Sequence, residues 1–201
     1  MKRIILLLIF SLMICKISYA DDTLINTNSI KIKPVQNSKY STKYDALFKA
    51  NVKHYFGVSN DKWLWIKSQA ICESCLDENA HSECNARGVL QVMPATFREI
   101  KKKNPDILGN IDTAKWNIQA GIYYDSTLYN TWKNEATEND KLAYMFASYN
   151  GGIGNVLKAQ KICNCNTWNE LKPAAKQVKT WIYKQSLDYV DKIFALMGSI
   201  T

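Results

Sequence analysis

The stretch Ala70–Thr96, AICESCLDENAHSECNARGVLQVMPAT, holds the residues on which the interpretation of this chain depends. A single acid, Glu73, follows a strongly apolar helical run and lies between Cys72 and Cys75. Gln91 comes eighteen residues after that acid, within the sequence GVLQVMP. The pattern fits either a Cys-x-x-Cys redox or metal site or an acid catalyst that has cysteine neighbours.

Glu73 lies on the apolar side of its predicted helix. Ile66, Ala70 and Glu73 are spaced by four and three residues, so they share one helical face. A carboxyl group in apolar surroundings has a raised pKa, which keeps a general acid protonated near neutral pH. An exposed acid at the end of a helix is the alternative, and the spacing alone fits both interpretations equally.

The pattern of the chain is helical from about Thr42 onwards. Apolar residues recur at steps of three and four, Gly57 is predicted to end a helix, and Pro94 and Pro173 are each predicted to open one. No sustained alternation of period two and no internal repeat appear. The sequence therefore predicts an all-α domain of seven to nine short helices over residues 42–201.

Residues 1–20 have the pattern of a cleaved secretory signal peptide. Lys2 and Arg3 precede an apolar run from Ile4 to Ile14, and small residues lead to a predicted cleavage site after Ala20. The apolar run is shorter than the about 20 residues that a bilayer-spanning helix needs. An exported protein without a transmembrane anchor is therefore predicted.

A lipoprotein signal ending at Cys15 is the alternative for the same segment. Such a signal requires a small residue immediately before the cysteine, and Ile14 stands there, which disfavours this alternative. Residues 21–41 are polar, rich in Asn and Ser and without a sustained period, so a flexible leader is predicted between the signal peptide and the helical domain.

The charge of the chain favours an anionic partner. The signal peptide holds three of the 26 basic residues, so its removal leaves 23 against 18 acidic ones and a net charge of +5. A modest positive balance suits a cell wall or a membrane surface. A nucleic acid partner is not predicted, because no basic run exceeds Lys101–Lys103, which fits the solvated end of a helix.

Five cysteines follow the signal peptide: Cys72, Cys75, Cys84, Cys163 and Cys165. In an oxidising compartment they indicate structural disulfides, and their odd number leaves at least one outside any bridge within a monomer. A thioredoxin-type motif would begin a helix after a strand, whereas Cys72 and Cys75 lie at a helix end. Zinc would need four converging ligands, and the cysteines with His81 have unorthodox spacings. No metal and no cofactor are predicted.

Four sequence motifs, taken in order, carry a resemblance to a known family. The first joins the Glu73-Ser74 pair to Ser82, to GVLQ at Gly88–Gln91 and to MPAT at Met93–Thr96. Three further motifs follow: NIQAGIYY at Asn117–Tyr124, SYNGGIG at Ser148–Gly154, and the pair Tyr189-Val190. Together they resemble the lytic transglycosylases of the SLT family, bacterial enzymes with a goose-type-lysozyme-like fold.

The resemblance implies a lysozyme-like bundle of short helices with a glycan-binding cleft. It also implies an exported, periplasmic peptidoglycan lytic transglycosylase that cleaves the β-1,4 bond between MurNAc and GlcNAc without water and leaves 1,6-anhydro-MurNAc ends. In that family one acid suffices, because the N-acetyl group of the substrate stabilises the cationic centre. Glu73 would act first as general acid and then as general base.

The resemblance further implies roles for other residues. Tyr149 would place its hydroxyl beside the Glu73 carboxyl, with a structural position at the end of its helix as the alternative. Ser82, Gln91 and Asn150 would form hydrogen bonds with the glycan. Three residues would support the fold and the cleft wall: Ser74, Met93 and Tyr189.

The cysteine positions suggest bridges that hold the loops around the cleft. We expect a disulfide between Cys75 and Cys84, or from one of them to Cys163 or Cys165. Such a bridge would hold Ser82 in register with the catalytic helix.

Partners and rival functions complete the set of expectations. Peptidoglycan glycan strands are the implied substrate, and a secretion, conjugation or pilus apparatus is a candidate partner. A goose-type lysozyme that hydrolyses the same bond with water is one alternative. A non-catalytic wall-binding assembly factor is another, and loss of the acid would be its signature.

Overall fold

The computed structural model describes residues 40–57 and 62–200, and this part of the chain is helical, without strands. Its α-helices are α1 (Asp45–Phe56), α2 (Lys62–Ser74), α3 (Pro94–Lys103), α4 (Ala114–Thr131), α5 (Glu138–Gly151), α6 (Ile153–Cys163), α7 (Trp168–Ala175) and α8 (Tyr183–Ile200). The all-α prediction is confirmed for these residues. The predicted signal peptide and nearly all of the predicted leader lie outside them.

Helix α5 occupies the centre of the domain. Its residues from Leu142 to Ser148 are all buried, which requires neighbours on every side of the helix. Those neighbours are α4, α6, α7 and α8, and α2 packs in turn against α1 and α8. Removing this much apolar surface from water supplies the main driving force for folding.

Local sequence signals set several helix boundaries. Gly57 adopts φ 84° directly after α1, a conformation that L-residues with side chains rarely adopt. Pro94 is the first residue of α3, where its missing N–H leaves no bond unmade. Pro173, however, lies inside α7 and does not open it. The helix begins earlier because the Thr167 hydroxyl accepts a hydrogen bond from the Glu170 N–H and caps it.

A long connection between α2 and α3 carries much of the sequence motif around the acid. Two antiparallel bridges shape it: His81 pairs with Arg87, and Arg87 pairs with Val92. Within the described residues no helix combines the length and the apolar character needed to cross a bilayer.

Candidate active site

Glu73 is the penultimate residue of α2, and the chain changes direction immediately after it. Cys75 and Leu76 both adopt left-handed backbone conformations, with φ 54° and 67°. A continuing right-handed helix is impossible there, so the helix ends with the acid at its rim. The Glu73 residue is half-buried, at the junction of the apolar core and the surface.

Burial dominates the electrostatics of Glu73. It raises the pKa of the carboxyl from 4.5 to about 8, because a charge is poorly solvated in these surroundings. The Tyr189 hydroxyl donates a hydrogen bond of 2.5 Å to Oε1 and partly offsets that effect. At neutral pH the carboxyl is therefore mostly protonated, as a general acid must be.

The tyrosine that forms a hydrogen bond with Glu73 is Tyr189. Tyr149 was expected there, but its hydroxyl donates to the Leu90 carbonyl at 2.7 Å. Tyr189, expected only to support the fold, makes the contact with Glu73. The Tyr149 hydroxyl is bonded to a carbonyl of the α2–α3 connection, whereas Tyr189 lies on α8, which packs against α2. Tyr149 nevertheless lies near enough for the Glu73 charge to raise its pKa, after the larger effect of burial.

Gln91 holds the α2–α3 connection together from within. It is buried at φ 44°, and its side-chain Nε2 donates to the Ala80 and Gly88 carbonyls at 3.1 and 2.9 Å. Gln91 was expected to form a hydrogen bond with the glycan, and in the structure its amide nitrogen donates to these two carbonyls. The partly exposed Ser82 also bonds within the connection, because its Oγ accepts from the Ala86 N–H at 2.9 Å.

Asn117 ties the same connection to α4, a role that the sequence motif did not assign to it. Its Oδ1 accepts from the Leu90 N–H at 2.9 Å, and its Nδ2 donates to the Arg87 and Ile111 carbonyls at 2.7 and 3.2 Å. Gly88 lies against it with φ 70°, and a Cβ there would come within 2.7 Å of Nδ2. Only glycine fits this approach.

The other expected site residues lie on α2, on α5 and directly before α3. Ser74 donates from Oγ to the Val89 carbonyl at 2.8 Å, which joins α2 to the connection. Met93 is half-buried and directly precedes α3. Asn150, partly exposed at the end of α5, accepts a hydrogen bond of 2.8 Å from the Ser186 hydroxyl of α8.

The expected disulfide bridges are wrong. Cys163 and Cys165 bond to each other, at the end of α6, so neither is available to the region around Glu73. Cys75 and Cys84 do not form a disulfide with each other. The α2–α3 connection is held instead by the hydrogen bonds of Asn117 and Gln91. Within the described residues no group of three or more His, Cys, Asp or Glu side chains could hold a metal ion.

A second carboxyl group lies near Glu73, and it is one that the sequence analysis did not single out. Asp125 of α4 is completely buried, and its pKa is raised by that burial and, to a smaller extent, by the Glu73 charge. A signal for it exists, because Ile118, Ile122, Asp125 and Leu128 follow at helical steps of four, three and three. Of the acids nearer in sequence, Glu78 pairs with Lys43 at 2.7 Å.

Comparisons with known proteins agree with this geometry. The family model "Transglycosylase SLT domain" matches residues 58–166. Proteins named membrane-bound lytic murein transglycosylase F are similar: that of Actinobacillus succinogenes is 27% identical over 167 residues, covering 80% of this chain and 32% of the relative. That of Shewanella sediminis is 26% identical over 147 residues, covering 71% and 29%. The chain thus spans about a third of the length of these relatives.

Two solved structures have a similar fold. An inactive mutant of the lytic transglycosylase Slt from Pseudomonas aeruginosa gives a TM-score of 0.65 at 19% identity, over 80% of this chain and 24% of that one. The 70 kDa soluble lytic transglycosylase of Escherichia coli gives 0.62 at 20% identity, over 78% and 24%. At such identities the likeness concerns the fold, and the lysozyme-like helical architecture expected from the sequence is confirmed.

Proposed function

Because the chain belongs to the transglycosylase SLT domain family, we propose that it is a peptidoglycan lytic transglycosylase with Glu73 as its single acid and base. It would cleave the β-1,4 bond between MurNAc and GlcNAc and leave 1,6-anhydro-MurNAc ends. The observation that carries the proposal is the carboxyl of Glu73, whose pKa of about 8 keeps it protonated at the rim of the core. Export to the periplasm belongs to the proposal and rests on the pattern of residues 1–20.

The proposed reaction uses the Glu73 carboxyl twice. The protonated carboxyl gives its proton to the glycosidic oxygen as the bond from that oxygen to C1 of MurNAc breaks. The carboxylate then takes the proton of the C6 hydroxyl of the same sugar while that oxygen bonds to C1. The carboxyl regains its proton and no water is consumed. Tyr189 stabilises the intervening carboxylate through its hydrogen bond.

The position of the second carboxyl supports a one-acid mechanism. Glycosidases with two catalytic carboxyl groups place both at the substrate, about 5–9.5 Å apart. Asp125 has no exposed surface, so it cannot reach a glycan or an attacking water in this structure. In the proposed reaction the substrate itself supplies the nucleophile, its C6 hydroxyl.

The reaction products test this proposal directly. Purified mature protein is expected to release peptidoglycan fragments with 1,6-anhydro-MurNAc ends, each lighter by one water than the corresponding hydrolysis product. Mass spectrometry of the fragments measures this difference. Fragments with ordinary reducing ends would replace the proposal with a lysozyme-type hydrolase. Glu73→Gln protein, treated in parallel, is expected to release neither kind of fragment.

Replacing Tyr189 by Phe is expected to move the alkaline limb of the pH profile upwards. The acid must be protonated, so kcat/KM falls as pH rises through about 8, the pKa of Glu73. The Tyr189 hydroxyl favours the ionised carboxylate, and its removal raises that pKa further. A hydrogen bond to a charged group is worth about 1.5–3 kcal/mol, which corresponds to a shift of about one pH unit or more.

Tyr183→Phe, on the same helix, is the matched control for this experiment. We expect its alkaline limb to coincide with that of the wild type, because Glu73 accepts from Tyr189. A limb that stays in place in Tyr189→Phe would contradict the assignment of this hydrogen bond to the acid.

A further inference from the structure

A polar pair lies in the core one helical turn before the acid. Gln69 of α2 and Asp125 of α4 both have 0% of their surface exposed. The Gln69 Nε2 donates to Asp125 Oδ1 at 3.3 Å. Gln69 and Glu73 are four residues apart on α2, so they lie on the same side of that helix. The mechanism proposed above does not use either member of the pair.

Two oxygen atoms of this pair have no hydrogen-bond partner in the part of the chain that the structure describes. They are Gln69 Oε1 and Asp125 Oδ2, and both are buried. An amide oxygen and an ionised carboxylate oxygen are acceptors only, so neither can satisfy the other. Exchanging the nitrogen and oxygen of the amide would not help, since the amide still has one oxygen that needs a donor. Each buried orphan costs about 1–3 kcal/mol, and more if charged.

One proton on Asp125 would give both unpartnered oxygen atoms a hydrogen bond. A protonated carboxyl group has an O–H that can donate, and the Gln69 oxygen needs a donor. We propose that Asp125 is a positioning residue that keeps a proton on Oδ2 and donates it to Gln69 Oε1, so that the two side chains form a neutral pair joining α2 to α4 beneath Glu73. The amide and acid then each donate once and accept once.

The charged and titratable groups around Asp125 agree with a neutral acid. Glu73 faces it from α2, Tyr149 interacts with it from α5, and Tyr124 precedes it on α4. None of these groups is a cation. Burial and then the Glu73 charge raise the pKa of Asp125 well above 3.8, against the opposing hydrogen bond from Gln69. These surroundings therefore favour the protonated form of Asp125.

The consequence for catalysis rests on the function proposed above. Glu73 has to carry a negative charge between its two proton transfers. An ionised Asp125 would place a like charge beside it and disfavour that state. A neutral Asp125 avoids this repulsion, and its hydrogen bonds with Gln69 fix the last turns of α2, on which Glu73 stands.

Infrared spectroscopy tests the proton on Asp125 without any activity measurement. In Glu73→Gln protein at pH 7 we expect to observe the C=O stretch of a protonated carboxyl group. That band should disappear in the double variant Glu73→Gln/Asp125→Asn. A Glu73→Gln spectrum without the band would overturn the proposal, and so would a band that survives in the double variant.

Unfolding equilibria give an independent measurement. An acid with a raised pKa in the folded state stabilises the protein below its unfolded pKa, and that stabilisation is lost as pH rises towards the folded pKa. The folding equilibrium constant of Asp125→Asn, divided by that of the wild type, should therefore rise about tenfold per pH unit between about pH 5 and 7. Asp77→Asn, at an exposed carboxyl, is the control and should give a far flatter ratio. A flat ratio for Asp125→Asn would mean an ionised Asp125.

The pH profile of turnover separates this inference from the proposed function. Asp125→Asn exchanges one neutral group for another, so the alkaline limb of kcat/KM should stay in place. Asp125→Ala should lower both stability and turnover, whereas Asp125→Asn should retain both. A limb that moves to lower pH in Asp125→Asn would reveal a lost negative charge. If the protein makes no anhydro products, the spectra and the unfolding ratio still decide the state of Asp125.

Discussion

Glu73→Gln is expected to abolish turnover and to leave the folded protein at least as stable as the wild type. The amide has the shape of the acid but can neither give a proton to the glycosidic oxygen nor take one from the C6 hydroxyl. Each general acid–base role is commonly worth about 10²–10⁴-fold, so loss of both should bring turnover to background. Release of soluble peptidoglycan fragments measures it.

The stability of the same variant excludes misfolding as the cause. The folded-state pKa of Glu73 is raised to about 8, so the wild type loses stability as pH rises from the ordinary range of a glutamate towards 8. Gln has no proton to lose, and Glu73→Gln should be more stable than the wild type at pH 8. Chemical denaturation at pH 5 and pH 8 measures the difference.

Amide substitutions at nearby exposed acids are the matched controls. Asp77→Asn and Glu83→Gln change exposed side chains, and Glu78→Gln breaks a surface pair with Lys43 that the solvent screens. Each should retain most of the wild-type turnover. Wild-type turnover in Glu73→Gln would instead contradict the assignment of Glu73 as the catalytic acid, for the transglycosylase and for the hydrolase alike.

The helical architecture was predictable because its signals are local. Gly57 and Pro94 act through their own backbone restrictions, and both mark the ends that the sequence predicts. Pro173 shows the limit of such signals, because a proline fits a helix start but does not dictate one. The cap at Thr167 decides where α7 begins.

The position of the acid was predictable only in part, and its partners were not predictable. The helical spacing from Ile66 fits both an acid beside the core and an exposed one, and the structure has Glu73 at the junction of the core and the surface. Which tyrosine contacts the carboxyl depends on how α5 and α8 pack. The spacing of the residues around Tyr149 or Tyr189 does not contain that information. The buried Asp125 likewise acquires its meaning from Gln69, 56 residues away in the chain.

Disulfide pairing failed as a prediction because proximity in sequence is a poor guide to geometry. Cys75 and Cys84 bracket the connection after α2, and a bridge between them would have been a simple way to hold it. The structure uses Asn117 of α4 for that purpose, through three hydrogen bonds to backbone groups. An amide in a helix gives no sign in the sequence that it organises a connection before it.

Asn117→Ala is therefore expected to destabilise the protein strongly, although the residue does not touch the acid. The change orphans the buried Leu90 N–H and leaves the Arg87 and Ile111 carbonyls without this donor. At about 1–3 kcal/mol for each buried group left without a partner, we expect a loss of about 3–5 kcal/mol. That is a large part of the about 5–15 kcal/mol of a typical domain. Urea unfolding with an unchanged m-value measures it.

Turnover should fall with stability in this variant, since the Leu90 carbonyl holds the Tyr149 hydroxyl within range of the Glu73 charge. Asn110→Ala is the matched control. The side chain of this exposed asparagine accepts hydrogen bonds from the Asp112 N–H and the Thr113 hydroxyl, both in its own turn. Its loss should cost under about 1 kcal/mol of stability. If Asn117→Ala proved equally mild, the backbone bonds between Arg87 and Val92 would suffice to hold the connection. The position of the acid would then depend on α2 and α8 alone.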